Sequence, residues 1–133
     1  MTTSSQSVRD ALLDRAVQAQ LHAYAPYSGF HVGAAILADN GEISAGCNVE
    51  NVAYPLGQCA EATAIGNMVT GGGNSIKHIV IASPNDDFCY PCGGCRQKIK
   101  EFAGPDTVVE LLNQKGKTRT VSVEELLPFA FTL

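Results

Sequence analysis

The residues best suited to chemistry are three cysteines and a glutamate. Cys59 and Glu61 stand in Cys59-Ala60-Glu61, and Cys92 and Cys95 in the later run Pro91-Cys92-Gly93-Gly94-Cys95. Zinc takes four tetrahedral ligands in structural sites and leaves one position to water in catalytic ones. Three thiols with no obvious fourth ligand nearby fit the catalytic pattern, with Glu61 placed to take a proton from that water. Spacing dictates the geometry. Cys92 and Cys95 are three apart, so on the first turn of a helix they face the same way. Cys59 and Glu61 are two apart and diverge on a regular helix; they converge only if Cys59 sits at the cap, where the backbone is not yet helical. The expectation is two helix N-termini aimed at one metal, their partial positive charge and free amides stabilising thiolates. Three thiolates around one divalent ion leave a net negative charge, and the helix ends and Arg96 are the candidates to offset it.

Other readings of these cysteines stay open on spacing alone. Cys89, Cys92 and Cys95 are evenly spaced, so a closed four-cysteine structural site with Cys59 is conceivable, although it gives Glu61 no purpose. A Cys-x-x-Cys pair also serves dithiol redox proteins. Cys47 reads as a small buried hydrophobe. His22, His31 and His78 are isolated and read as surface or packing residues.

Bulk properties narrow the setting. With 133 residues, 45% of them apolar and 17% charged, the chain reads as one ordinary globular domain over residues 1–133. Residues 1–10 are polar and lack the pattern of a secretion signal, and no apolar run is long enough to span a bilayer. A cytoplasmic location follows as the expectation, and there five cysteines are unlikely to form a disulfide framework. Net charge is −4 with lysine and arginine scattered, which argues against a polynucleotide partner.

The elements that must hold the cysteines can be read from periodicity. Residues 8–24 place Val8, Leu12 and Ala16 in one helical row and Leu13, Val17 and Leu21 in the next, up to a stop at Pro26. Residues 30–38 and 42–47 read as paired strands around Asp39-Asn40-Gly41, a hairpin signal. Residues 48–57 form a shaped loop with polar Asn48, Glu50 and Asn51. Residues 59–69 are helical and end at Gly71-Gly72-Gly73, a helix stop rather than a phosphate loop. A buried strand over 78–83, a helix over 92–102, a strand over 107–112 and an edge strand over 118–121 follow. Ser122 with Glu125 then caps a short last helix. The alternation of strands and helices implies an α/β protein. Sites in such sheets lie beyond strand ends where helices begin, which is where both cysteine motifs fall.

The assembled motifs resemble the zinc-dependent cytidine deaminases of the short-chain, all-cysteine type. Besides the cysteine motifs, the stretch from Tyr24-Ala25-Pro26-Tyr27-Ser28-Gly29-Phe30 through His31-Val32-Gly33-Ala34-Ala35 matches in order and spacing. So do Gly46-Cys47-Asn48-Val49-Glu50-Asn51 and Glu124-Glu125-Leu126-Leu127-Pro128, and nearly the whole chain is covered. The resemblance implies a three-layer α-β-α sandwich around a mixed, roughly five-stranded sheet. It implies one zinc per subunit on Cys59, Cys92 and Cys95, with Glu61 as proton shuttle. It matches Asn48 and Glu50 to the pair that holds the ribose hydroxyls, Phe30 and Val32 to pocket walls, and the Ala60 amide to the group facing the pyrimidine carbonyl. Tyr54 and Phe131 match residues that reach into a neighbouring subunit's site of a homotetramer. The implied activity is hydrolytic deamination of cytidine and deoxycytidine in pyrimidine salvage. A deaminase for another aminopyrimidine nucleoside and a non-catalytic zinc-stabilised module are the rivals. Many members carry an Arg directly after the shuttle Glu. Here that position is Ala62, which leaves charge compensation to Arg96 and the helix ends.

Overall fold

The computed structural model describes residues 5–133, so the first four residues of the polar N-terminal stretch lie outside it. Among the described residues four α-helices and five strands follow one another. They are α1 (Gln6–Leu21), β1 (Gly33–Ala38), β2 (Ile43–Cys47), α2 (Ala60–Thr70), β3 (Ile76–Ala82), α3 (Gly93–Phe102), β4 (Ala103–Leu112), β5 (Thr118–Ser122) and α4 (Val123–Leu126). The strands form one mixed sheet in the order β2-β1-β3-β4-β5. Only β3 and β4 run parallel, joined through α3; the other neighbours are antiparallel. The expected edge strand, β5, is at the edge. Among the described residues no helix is long and apolar enough to cross a membrane.

Strand periodicity builds two cores. Ala34, Ile36, Ile79, Ile81, Val109 and Leu111 face α2, α3 and α4, whereas Ala35, Leu37, Val80 and Ala82 meet Leu12 and Ala16 of α1. The expected three layers are thus present. Burying a side chain such as Leu12 completely contributes about 2 kcal/mol. In α1 the first predicted row is core, but Val17 and Leu21 of the second are exposed.

Two glycines set how closely helices approach the sheet. A Cβ on Gly33 of β1 would lie 2.0 Å from the Ala16 carbonyl oxygen of α1. On Gly46 of β2 it would lie 2.4 Å from the Ala64 amide nitrogen of α2. Glycine is required at both by contact rather than by backbone angle. The Asp39-Asn40-Gly41 hairpin is present, with Gly41 in the left-handed region at φ 83°.

A buried ion cluster lies on the α1 face. Glu110 of β4 accepts from the Arg9 guanidinium of α1 and pairs with His78 Nε2 of β3 at 2.9 Å. His78 is therefore a buried partner of a carboxylate, more specific than a packing residue. The Ser122–Glu125 capping box is formed: Glu125 N donates to Ser122 Oγ at 3.0 Å and Ser122 N to Glu125 Oε1 at 2.8 Å.

Candidate active site

Cys59 and Cys92 are the N-cap residues of α2 and α3, with extended backbones (φ −74°, ψ 157° and φ −66°, ψ 166°). Neither side chain makes a capping hydrogen bond, so both sulfurs stand clear of the helix starts. Cys95, in the first turn of α3, is buried, and the three Sγ atoms lie within 4.8 Å of one another. Cys59 and Cys92 sulfurs are 3.8 Å apart. Tetrahedral geometry with Zn–S of about 2.3 Å requires sulfurs about 3.8 Å apart, so the donor set fits zinc. Cys89 is not in the cluster, and no disulfide joins any of the five cysteines. The closed four-cysteine alternative therefore finds no support.

The thiols already act on one another. Cys59 is pulled down to about 6, first by a hydrogen bond from Cys95 and then by one from Cys92, with the charge of Lys98 adding to the effect. Cys95 moves up, since its proton serves the Cys59 sulfur. Glu61, in the first turn of α2, is buried at 5% exposure. Burial raises its pKa, and the negative charge at Cys59 raises it further.

Arg96 does something other than expected. Its Nε donates to the Pro91 carbonyl and its Nη1 to that of Leu126, both at 2.8 Å. Its described hydrogen bonds reach no sulfur. It ties the turn before Cys92 to the end of α4, and the cation felt at Cys59 is Lys98, one turn beyond Cys95.

A cavity of about 210 Å³ opens beside the thiols and Glu61, walled by Phe30, Val32, Asn48 and Ala60. How the loops reach it explains why Phe30 and Val32 lie outside β1. Asn48 Oδ1 accepts from Val32 N at 2.9 Å and its Nδ2 donates to the Phe30 carbonyl at 2.8 Å, replacing a strand partner. Val49 bridges Tyr24 on one side and Gln58 on the other, which sets Asn48 in the cavity with Cys59 and Glu50 in an adjoining hollow with Gly57. Glu50 is fixed by the loop before β1. Its Oε1 accepts from Tyr27 N at 3.0 Å and Ser28 N at 3.1 Å, and its Oε2 from Ser28 Oγ, which also accepts from Phe30 N at 3.0 Å. The Ser28 hydroxyl is the first cause of a lowered Glu50 pKa, so the group is a carboxylate.

Tyr54 and Phe131 do not line this cavity. Tyr54 is 75% exposed, edge-on to Tyr27 at 6.1 Å, in an adjoining hollow with Ser28 and Glu50; Phe131 is 72% exposed. Sequence reading missed Ser28, whose neighbour Gly29 made it look like plain turn composition. It also missed Ser83 and Tyr90 on the cavity wall, and considered Cys89 only as a fourth metal ligand rather than as a wall residue. A polar residue ending an apolar strand was the available signal for Ser83.

Comparison with known proteins gives the family. Residues 6–111 match the family described as the cytidine and deoxycytidylate deaminase zinc-binding region. The chain is 42% identical over 123 residues to the cytidine deaminase of Sporosarcina psychrophila, covering 92% of this chain and 90% of that protein. It is 41% identical over 124 residues to that of Halalkalibacterium halodurans, covering 93% and 94%. The crystal structure of cytidine deaminase from Burkholderia pseudomallei superposes with a TM-score of 0.87 at 40% identity, over 92% of this chain and 98% of that one. With its thiol cluster, its buried glutamate and these relatives, the chain belongs to the zinc-dependent cytidine and deoxycytidylate deaminase family.

Proposed function

We propose that the chain deaminates cytidine and deoxycytidine to uridine and deoxyuridine, releasing ammonia, as a single deaminase unit over residues 1–133. The observation that carries this reading is the buried Glu61 carboxyl beside three convergent thiols in one cavity. Zinc held by Cys59, Cys92 and Cys95 supplies the Lewis acidity that makes water nucleophilic. The chain's own residues do the rest. Glu61, kept protonatable by burial, relays protons: as the water oxygen joins ring carbon 4, one proton passes to ring nitrogen 3 and the other to the departing amine.

Asn48 spends its oxygen and one amide proton on Val32 and Phe30, which leaves an N–H for a sugar hydroxyl. The Glu50 carboxylate accepts from the sugar and repels phosphate, favouring nucleosides over nucleotides. The Ala60 amide, in the first turn of α2, faces the pyrimidine carbonyl, and Phe30 and Val32 clasp the ring. The helix starts and Lys98 offset the charge of the thiolates, and Arg96 fixes the turn that carries Cys92.

Glu61→Gln is expected to keep its zinc and fold while ammonia release from cytidine drops at least about 100-fold, as when a general acid–base is removed. Parent-like turnover in that variant would refute the role. Tyr54, Phe131 and the exposed Val52 and Leu56 support a homotetramer in which these residues complete neighbouring sites. Light scattering at the mass of a single chain would refute it. The five unpaired cysteines suit a reducing compartment, here taken as the cytoplasm.

A further inference from the structure

The side-chain oxygen of Ser83 stands out in the wall of the cavity. Ser83 directly follows β3, whose Ile79 and Ile81 face α2 and α3 while Val80 and Ala82 face α1. Two residues after Ile81, Ser83 continues the alternation onto the site side. It is 4% exposed, and its backbone N–H donates to the Leu112 carbonyl at 3.0 Å. Among the described residues, Ser83 Oγ is the one buried side-chain nitrogen or oxygen with no hydrogen-bond partner in the protein. It lines the same cavity as Glu61, Cys59 and Phe30.

A hydroxyl buried without a partner destabilises a fold, and alanine fills the same place without that cost. Packing therefore does not account for serine at this position. We infer that Ser83 is a substrate-contacting residue whose hydroxyl hydrogen-bonds to the pyrimidine ring held in this cavity. The inference rests on the reading that the cavity takes a pyrimidine nucleoside. It places Ser83 on the base, because the sugar is assigned to Asn48 of the same cavity and to Glu50 in the adjoining hollow. A hydroxyl both donates and accepts, so one residue can serve the amine-bearing ring of the substrate and the carbonyl-bearing ring of the product. It gains or loses no proton at neutral pH, and its part is to bind and orient while Glu61 moves protons.

The test is Ser83→Ala in the zinc-loaded protein, with three measurements. Cytidine kinetics should show KM raised roughly 3- to 10-fold with kcat little changed, the signature of a contact made equally before and during the chemistry. Equilibrium titration with uridine should weaken by a similar factor. The melting temperature without nucleoside should stay or rise, because the removed hydroxyl had no protein partner, and zinc content should not change. Unchanged KM and uridine affinity would overturn the proposal, assigning the hydroxyl to solvent. Weaker binding together with a lower melting temperature or lost zinc would also overturn it, since Ser83 would then be part of the frame. If the parent protein neither binds uridine nor turns over cytidine, the substrate reading fails and this proposal with it. If the parent does both and the variant is indistinguishable, the proposal fails alone.

Discussion

Replacing Gly46 with alanine tests how the sheet positions the site. An ideal Cβ there falls 2.4 Å from the Ala64 amide nitrogen and 2.8 Å from both the carbonyl carbon and the Cβ of Thr63. Ordinary contact begins about 1 Å farther out, and the obstacles are mostly helix backbone, which no rotamer change can move. Helix α2 must therefore retreat from β2 by roughly 1 Å. Overpacking of this kind costs ~1–3 kcal/mol, and backbone contact places Gly46→Ala near the upper end. For a chain of this length ~3 kcal/mol lowers the melting temperature by about 10 °C. Because Cys59 caps α2 and the helix carries Glu61, the same retreat displaces the Glu61 carboxyl, and a misplacement of about 1 Å can cost roughly 100-fold in rate. Thermal unfolding and cytidine turnover, measured on zinc-loaded protein, read both effects. Gly66→Ala is the control: it lies on the same helix, exposed, with nothing within 4 Å of its Cβ position, and should stabilise by ~1 kcal/mol through helix propensity. A Gly46→Ala protein that melts and turns over like the parent would refute the reasoning.

The buried ion cluster gives a pH prediction. His78 is held below its ordinary 6.5 by burial, despite Glu110. For Glu110 burial alone would raise the pKa, but the hydrogen bonds from Arg9 and His78 outweigh it and the value ends below the ordinary 4.5. Both groups therefore take up protons more readily when unfolded. Stability should be full above about pH 6.5, fall as His78's window is crossed, and fall again in the carboxylate range below about 4.5. Denaturant titrations across pH are expected to show this, with Glu110→Gln costing about 3 kcal/mol at neutral pH and flattening the lower step. A parent-like slope in that variant would exclude the cluster as the source.

Much of this was legible in the chain because the informative signals are local. The Cys59–Glu61 spacing required a cap, and the structure provides one; Asn40-Gly41 required a hairpin, and it is there. What could not be read depended on partners distant in sequence. Helix α1 ends at Leu21, well before Pro26, because Tyr24 is drawn into a bridge with Val49. Phe30 and Val32, composed like strand, are held off the sheet by Asn48. Strand β4 starts at Ala103, with no loop after α3, because its first residue pairs with Ile76 and Thr107 Oγ1 donates to the Ile76 carbonyl. Arg96 looked like a partner for thiolates from its place beside Cys95, yet two carbonyls from other segments claim it. Glu110, an acid inside an apolar strand, was the only sequence hint that His78 had a buried partner.

The two unfilled caps have a consequence for anyone altering this protein. Serine or aspartate at position 59 or 92 would supply the missing capping bond, worth ~1 kcal/mol to a helix start, and would be favoured in any selection for thermal robustness of the metal-free chain. Those same substitutions delete a zinc ligand. At these two positions the sequence that folds best alone and the sequence that works are different sequences. Engineering for stability must therefore score the loaded enzyme, or it will drift away from the site while every folding assay improves.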